Sequence, residues 1–237
     1  MEKEKLKEII KNHQHFLNND IDGWENMKAS LDYADLKGAN LKSVDLRFGD
    51  LENANLENAN LKGADLSGAN LRFANLNFTN LLGTNLYEAR LEWANLWGAN
   101  LEEANLERAN LWSAFITDTN FFRANLEYAN LQLADLRWAN LQMANLTGAK
   151  LKNTKLEFSE ISDAIFSEKD NFRKGEILTA PITGWKKCKG GKIVELEIPK
   201  DATVFCINGK MCRTNKCKVI SLSKGKRGIS MYDHKFI

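Results

Sequence analysis

Ala94-Asn95-Leu96-Trp97-Gly98, Ala99-Asn100-Leu101-Glu102-Glu103 and Ala104-Asn105-Leu106-Glu107-Arg108 are three successive units of a five-residue rhythm that runs from Ala29 to Phe166 without an insertion. Of its 28 units, 24 are centred on Leu, and the exceptions Ile116, Phe121, Ile161 and Phe166 are apolar as well. Two residues before the centre 21 of 28 are Ala, with small substitutes such as Val44, Gly49, Thr79, Thr84, Thr119, Thr154 and Ser159; one residue before it 21 are Asn or Asp. A strict period marks a repeat architecture, in which each unit buries its apolar face only against its neighbours. Five fits neither helix nor strand: a helix would scatter every fifth residue round its circumference, and a long strand would send alternate leucines to opposite faces. The chain must therefore turn once per unit. With each unit as one side of a square, four units close a coil of 20 residues. Leu and the preceding Ala point inward, while the residue between them and the two after Leu point outward. Each buried Leu contributes roughly 1.5–3 kcal/mol, so the stacked column offsets much of the ordering cost.

The motif A-(N/D)-L-x-x resembles the pentapeptide repeat family, whose members form right-handed quadrilateral β-helices. The resemblance implies an all-β solenoid over residues 29–166, preceded by an N-terminal capping helix and lead-in (1–28) and followed by a linker (167–181) and a small basic β domain (182–237). Seven coils at the ~4.8 Å spacing of neighbouring strands make a rod about 34 Å long. Gly38, Gly63, Gly68, Gly83, Gly98 and Gly148 stand two after the Leu, where a corner tolerates a positive φ. Phe115-Ile116 and Phe121-Phe122 are expected to enlarge the core. From Lys150 onward the Asn position becomes Lys150, Lys155, Glu160 and Ile165, as a last coil would show.

The net charge of +2 hides an asymmetry. Residues 167–237 hold 16 Lys and Arg against 7 Asp and Glu, a net +9 that leaves −7 for residues 1–166. The start, Met1-Glu2-Lys3-Glu4-Lys5, is charged, and no run approaches the ~20 apolar residues that span a bilayer. The chain therefore reads as cytoplasmic. Cys188, Cys206, Cys212 and Cys217 all lie in the basic part. Their spacing is poor for zinc, whose ribbons use pairs two to four apart, and Cys206 sits in an apolar run where Cys acts as a small hydrophobe. They read as thiols, with no metal and no cofactor.

A β-helix needs capped ends, because an open end exposes both core and unpaired strand edge. Leu6, Ile9, Ile10, His13, Phe16 and Leu17 fall on one helical face, Asn18-Asn19-Asp20 ends the helix, and Ile21 and Trp24 are expected over the first coil. His13 and His15 face different ways and make no metal pair. Beyond the linker, Ile193–Ile198, Thr203–Ile207 and Lys218–Leu222 read as strands, with Asn208-Gly209 as a hairpin turn. Gly184 to Val194, with Lys210 to Arg213, resembles an uncharacterised domain that follows pentapeptide arrays in phage and bacterial proteins. Members of that group run on past the segment matching Tyr232-Asp233, which implies a shortened version here.

No paired carboxylates, nucleophile and base, or phosphate-binding glycine loop points to catalysis, so the chain reads as a non-enzymatic scaffold that binds a macromolecular partner through its outer faces. Large apolar residues stand at outward positions, and by the 20-residue coil Phe73, Trp93 and Leu133 share one column with Trp112 beside them; with Trp97 they are the candidate interface, to a protein partner or to a second copy. Aromatic corners packing on the neighbouring coil are the structural alternative. The family resemblance also implies a role for some members as mimics of duplex DNA that bind gyrase. Duplex DNA carries one charge per ~1.7 Å, so a rod of this length would need about 20, whereas residues 31–166 hold 18 Asp and Glu against 12 Lys and Arg. The local candidate for such mimicry is Glu88, Glu92, Glu102, Glu103 and Glu107. A second alternative is nucleic-acid binding through Lys186, Lys187, Lys189, Lys224, Lys226 and Arg227.

Overall fold

Where the backbone amides of one repeat go decides the architecture. Around Leu76, the Leu76 amide donates to the Asn95 carbonyl at 2.7 Å, Phe78 to Trp97 at 2.9 Å, and Asn80 to Ala59 at 3.0 Å. The first two reach the following coil and the third the preceding one. Thr79 donates to Leu76 at 3.1 Å and closes a turn within the repeat. The fifth amide, Asn77, is taken by Oδ1 of Asn75 at 3.2 Å. Parallel bridges join residues 20 apart all along the rod, from Ser30 with Asp50 to Asn145 with Ile165. The chain is a β-helix solenoid with four sides, here numbered by their leucines: side 1 holds Leu31 and Leu51, side 2 Leu36 and Leu56, side 3 Leu41 and Leu61, side 4 Leu46 and Leu66.

The computed structural model describes residues 1–156, 158–161 and 163–165, together with the backbone of five strands between 182 and 222. The central Leu and the Ala two before it are buried along the middle of the rod, and half-buried at its ends, where Ala34, Ala39, Leu156 and Ala164 lie. Thr79, Thr84, Thr119 and Thr154 replace that Ala without leaving a bare hydroxyl: each Oγ1 donates at 2.7–2.8 Å to the carbonyl of the Leu 23 residues earlier, satisfying a buried polar group. Ile116 and Phe121 lie in the core, but Phe115 and Phe122 do not enlarge it. Phe115 occupies the outward Asn position, and Phe122 stands one past the centre, beneath the Arg123 guanidinium.

Every described corner from Tyr33 to Asp163 has a positive φ at the second residue after the Leu, as a type II turn requires. Gly supplies six of these positions, while Phe48, Phe78, Trp93 and Trp138 accept the same left-handed geometry, which costs on the order of 1 kcal/mol or more per residue. The turn bond and the two ladders hold them there.

The N-terminal helix α1, Lys3–Asn18, ends at Asn19, whose left-handed backbone returns its amide to the His15 carbonyl at 2.9 Å. His13 is its one buried residue. Trp24 meets Phe16 with ring centroids 5.9 Å apart, but Ile21 is exposed rather than packed on the first coil. It stands on the outside of a bend between two left-handed residues, Asn19 and Gly23. The chain divides into two compact units, Met1–Asn171 and Phe172–Ile237. In the second, β2 (Ile193–Ile198) pairs antiparallel with β1 (Ile182–Lys187) and with β5 (Lys218–Leu222). β3 (Val204–Ile207) pairs antiparallel with β4 (Met211–Thr214), while the expected turn at Asn208-Gly209 lies outside the described residues.

Candidate functional site

The Asn position explains where the rod departs from its own rule. From Asp35 to Asn145 each Asn or Asp at this position accepts the amide two residues on, and many Asn pass their Nδ2 protons to the same position one coil earlier, as Asn125 does to Asn105 at 3.2 Å. Arg90 and Phe115 are the exceptions in that range. Arg90 leans its Nε toward Glu92 at 3.9 Å. Phe115 gives up both functions: it offers no acceptor to the Thr117 amide and no donor to Asn95, and its ring is 51% exposed.

Phe115 stands midway across side 2. One edge of that side is the corner after side 1, where Trp93 and Trp112 pack edge to face with centroids 5.1 Å apart. The other edge carries Trp97, whose ring lies 4.7 Å from that of Phe78 and whose Nε1 donates to Asp118 at 3.1 Å. Trp93, Asn95 and Trp97 thus share one coil of side 2, and Trp112, Phe115 and Thr117 the next. Trp93 and Trp97 keep 41% and 45% of their surface in water despite these contacts. The sequence column is also in place: Phe73 and Leu133 are exposed at the corner of Trp93, with buried Ser113 between Trp93 and Leu133.

Other corner aromatics do pack on the next coil. The Phe48 ring fills the space over Gly68, where a Cβ would come within 2.6 Å of Cδ1, and Phe78 does so over Gly98 at 2.7 Å. Trp138 and Phe158 stack at 4.3 Å. Such rings are half covered and half exposed. Phe115 was not legible as an outward residue while it counted toward the core; its position, five residues on from Asn110 in the Asn column, is the signal that finds it.

The five glutamates fall on three corners rather than in one patch. Glu88 and Glu107 lie within 3.5 and 3.8 Å of Arg108, and Glu103 within 3.8 Å of Arg123. Glu92 is nearly buried beside Arg90, and its Oε2 has no hydrogen-bond partner. Among the described residues no group of His, Cys, Asp and Glu is placed to hold a metal, and no helix is long and apolar enough to cross a membrane. The side chains of Lys186, Lys187, Lys189, Lys224, Lys226, Arg227 and of the four cysteines lie outside the described residues.

Among solved structures the chain is similar to HetL, a pentapeptide repeat protein involved in heterocyst differentiation regulation in the cyanobacterium Nostoc sp. strain PCC 7120, with 34% identity over 58% of this chain and a TM-score of 0.53. The match spans 65% of HetL, less than two thirds of its length. Rfr23, a pentapeptide repeat protein of the cyanobacterium Cyanothece 51142, matches at 30% identity over 56% of this chain and 91% of its own, with a TM-score of 0.28. QnrB1, a plasmid-mediated fluoroquinolone resistance protein, matches at 17% identity over 56% of this chain and 79% of its own, with a TM-score of 0.30. No curated protein matches the chain. Residues 163–237 match a family of unknown function, DUF5758. Pentapeptide repeats match in eight copies across residues 28–167, and with the side-by-side coils described above, the chain belongs to the pentapeptide repeat family.

Proposed function

We propose that the protein is a non-catalytic scaffold and that side 2 of its β-helix binds a protein partner. The observation that carries this reading is Phe115. An exposed Phe stands where the fold rewards Asn, and it lies between two Trp-bearing corners. A residue that breaks a local rule without a structural return marks a functional position. Trp and Phe gathered on one flat face are the composition of an interface hot spot, and contiguous exposed apolar surface is uncommon on a protein that works alone. Duplex mimicry has less support, since four of the five glutamates have an arginine within 4 Å.

The test is affinity capture from the native host with the whole chain as bait, read by mass spectrometry, against a Trp93→Ser/Trp112→Ser bait of equal thermal stability. Proteins enriched by the native chain and lost by the double variant support side 2 as the binding face. An identical set for both baits overturns it. Inhibition of gyrase supercoiling that vanishes on changing Glu102, Glu103 and Glu107 to Gln would favour mimicry instead.

A further inference from the structure

The first coil has no coil beneath it, and the side chains of α1 stand in for the missing one. Within the rod, the amide two past each Leu donates to a carbonyl 19 residues on, as Tyr33 does to Glu52. By that rule the Arg47 carbonyl would face the amide of residue 28. The imidazole Nε2 of His13 sits there instead, 3.0 Å from the Arg47 oxygen. The neighbouring Asp45 carbonyl accepts from the Gln14 side-chain amide at 3.3 Å. On the other edge of the imidazole, Nδ1 accepts the Ala29 amide at 3.0 Å.

These partners leave the ring one state. A carbonyl can only accept, so Nε2 carries the proton; an amide can only donate, so Nδ1 is bare. His13 in this cap is a neutral imidazole, fully buried and stacked on Phe16 at 5.4 Å. A second proton would have to sit on Nδ1 facing the Ala29 N–H, donor against donor, on a ring closed off from solvent. Burial holds the ring below its ordinary value of 6.5; the Arg47 carbonyl and the Asp45 carboxylate oppose this, while Lys28 and the Arg47 guanidinium add to it. These are the charged groups that face it from the lead-in and the first coil. His15, on the same helix, bonds the exposed Asp20 at 2.8 Å and not the first coil.

We propose that His13 is a pH-operated latch: neutral, it closes the first coil beneath α1, and protonated, it releases the helix and bares the edge of the rod. The device is independent of what side 2 binds.

The experiment follows the whole protein by NMR at pH about 7.5 and about 5, reading the His13 ring nitrogens together with amide exchange protection corrected for intrinsic rate. At the higher pH His13 is expected as the Nε2–H tautomer, with α1 and the Ala29 amide protected. At the lower pH its protonation should coincide with at least a tenfold loss of protection in α1 and Ala29, while amides of the middle coils keep theirs. His13→Gln retains a donor and an acceptor and should stay closed at both values; His15→Gln should behave as the native chain. A protonated His13 beneath a still-protected helix overturns the latch, as does equal loss of protection in native chain and His13→Gln.

Discussion

Asn105 donates from Nδ2 to Oδ1 of Asn85 at 3.1 Å, and that same Asn85 oxygen holds the Tyr87 amide at 3.2 Å. The pair shows why this position is Asn more often than Asp. A carboxylate can accept the turn amide, but it has no proton to pass to the coil before it. Asp35, Asp45, Asp50 and Asp135 stand 20 residues after His15, Glu25, Ser30 and Phe115, none of which presents a carboxamide oxygen at this position, and Asp65 stands over Asp45, whose carboxylate already accepts from Arg47 at 2.8–2.9 Å.

Asn105→Asp should therefore destabilise the rod by about 1–3 kcal/mol, the scale for leaving a part-buried polar group opposed or unpaired. Asp65→Asn should be neutral or stabilising, since the new amide can reach toward Asp45. Urea unfolding of both variants checks the asymmetry.

Gly98→Ala and Gly83→Ala ask for the same positive φ, 64° and 62°, yet they differ in surroundings. A Cβ at 98 meets the Phe78 ring at 2.7 Å, whereas at 83 nothing lies within 4 Å. Gly83→Ala should cost about 1 kcal/mol from the backbone alone. Gly98→Ala should cost more, because Phe78 must also leave its seat against Trp97. Thermal melts compared side by side decide it.

The Asp135 carboxyl is held below its ordinary value of 3.8, first by the Arg137 guanidinium at 2.7–2.8 Å and then by the Arg137 amide and Lys155, against the cost of its own burial. A carboxyl depressed in the folded state stabilises it above the unfolded value, and that contribution is lost as pH falls through the folded one. The melting temperature should decline below pH about 3.8, and Asp135→Asn should lower it at neutral pH while flattening the decline. A variant whose acid limb parallels the native one would exclude this pair as a source.

The period of five was enough to read the side of the square, the buried Leu and Ala and the coil of 20, because each follows from which residues must be dry. The Asn position was legible as a pattern but not as a ladder, since its role is to take an amide that becomes orphaned only when the turn geometry is known. Phe115 was misread for the same reason. Adjacent to Ile116 it looks like core; only the outward direction of its position turns it into a surface residue. His13 was legible as the inner face of a helix, but the amide and carbonyl it satisfies belong to the first coil, 16 and 34 residues away along the chain. The aromatic corners show the limit of counting exposed residues, since Phe48 and Phe78 have seats over glycines that only the stacking reveals.

Restoring the rule at position 115 separates fold from function. Phe115→Asn gives the Thr117 amide an acceptor and Asn95 a donor, so the rod should keep or raise its stability by about 1 kcal/mol, as urea unfolding would report.

The most direct test of side 2 as the binding face is the amount of host protein captured by the Phe115→Asn chain relative to the native chain, measured by quantitative mass spectrometry on baits shown to be equally folded. The account predicts that the partner enriched by the native chain falls at least tenfold, the loss of about 1.4 kcal/mol or more that a central aromatic anchor carries. Undiminished capture by a well-folded Phe115→Asn chain would contradict it.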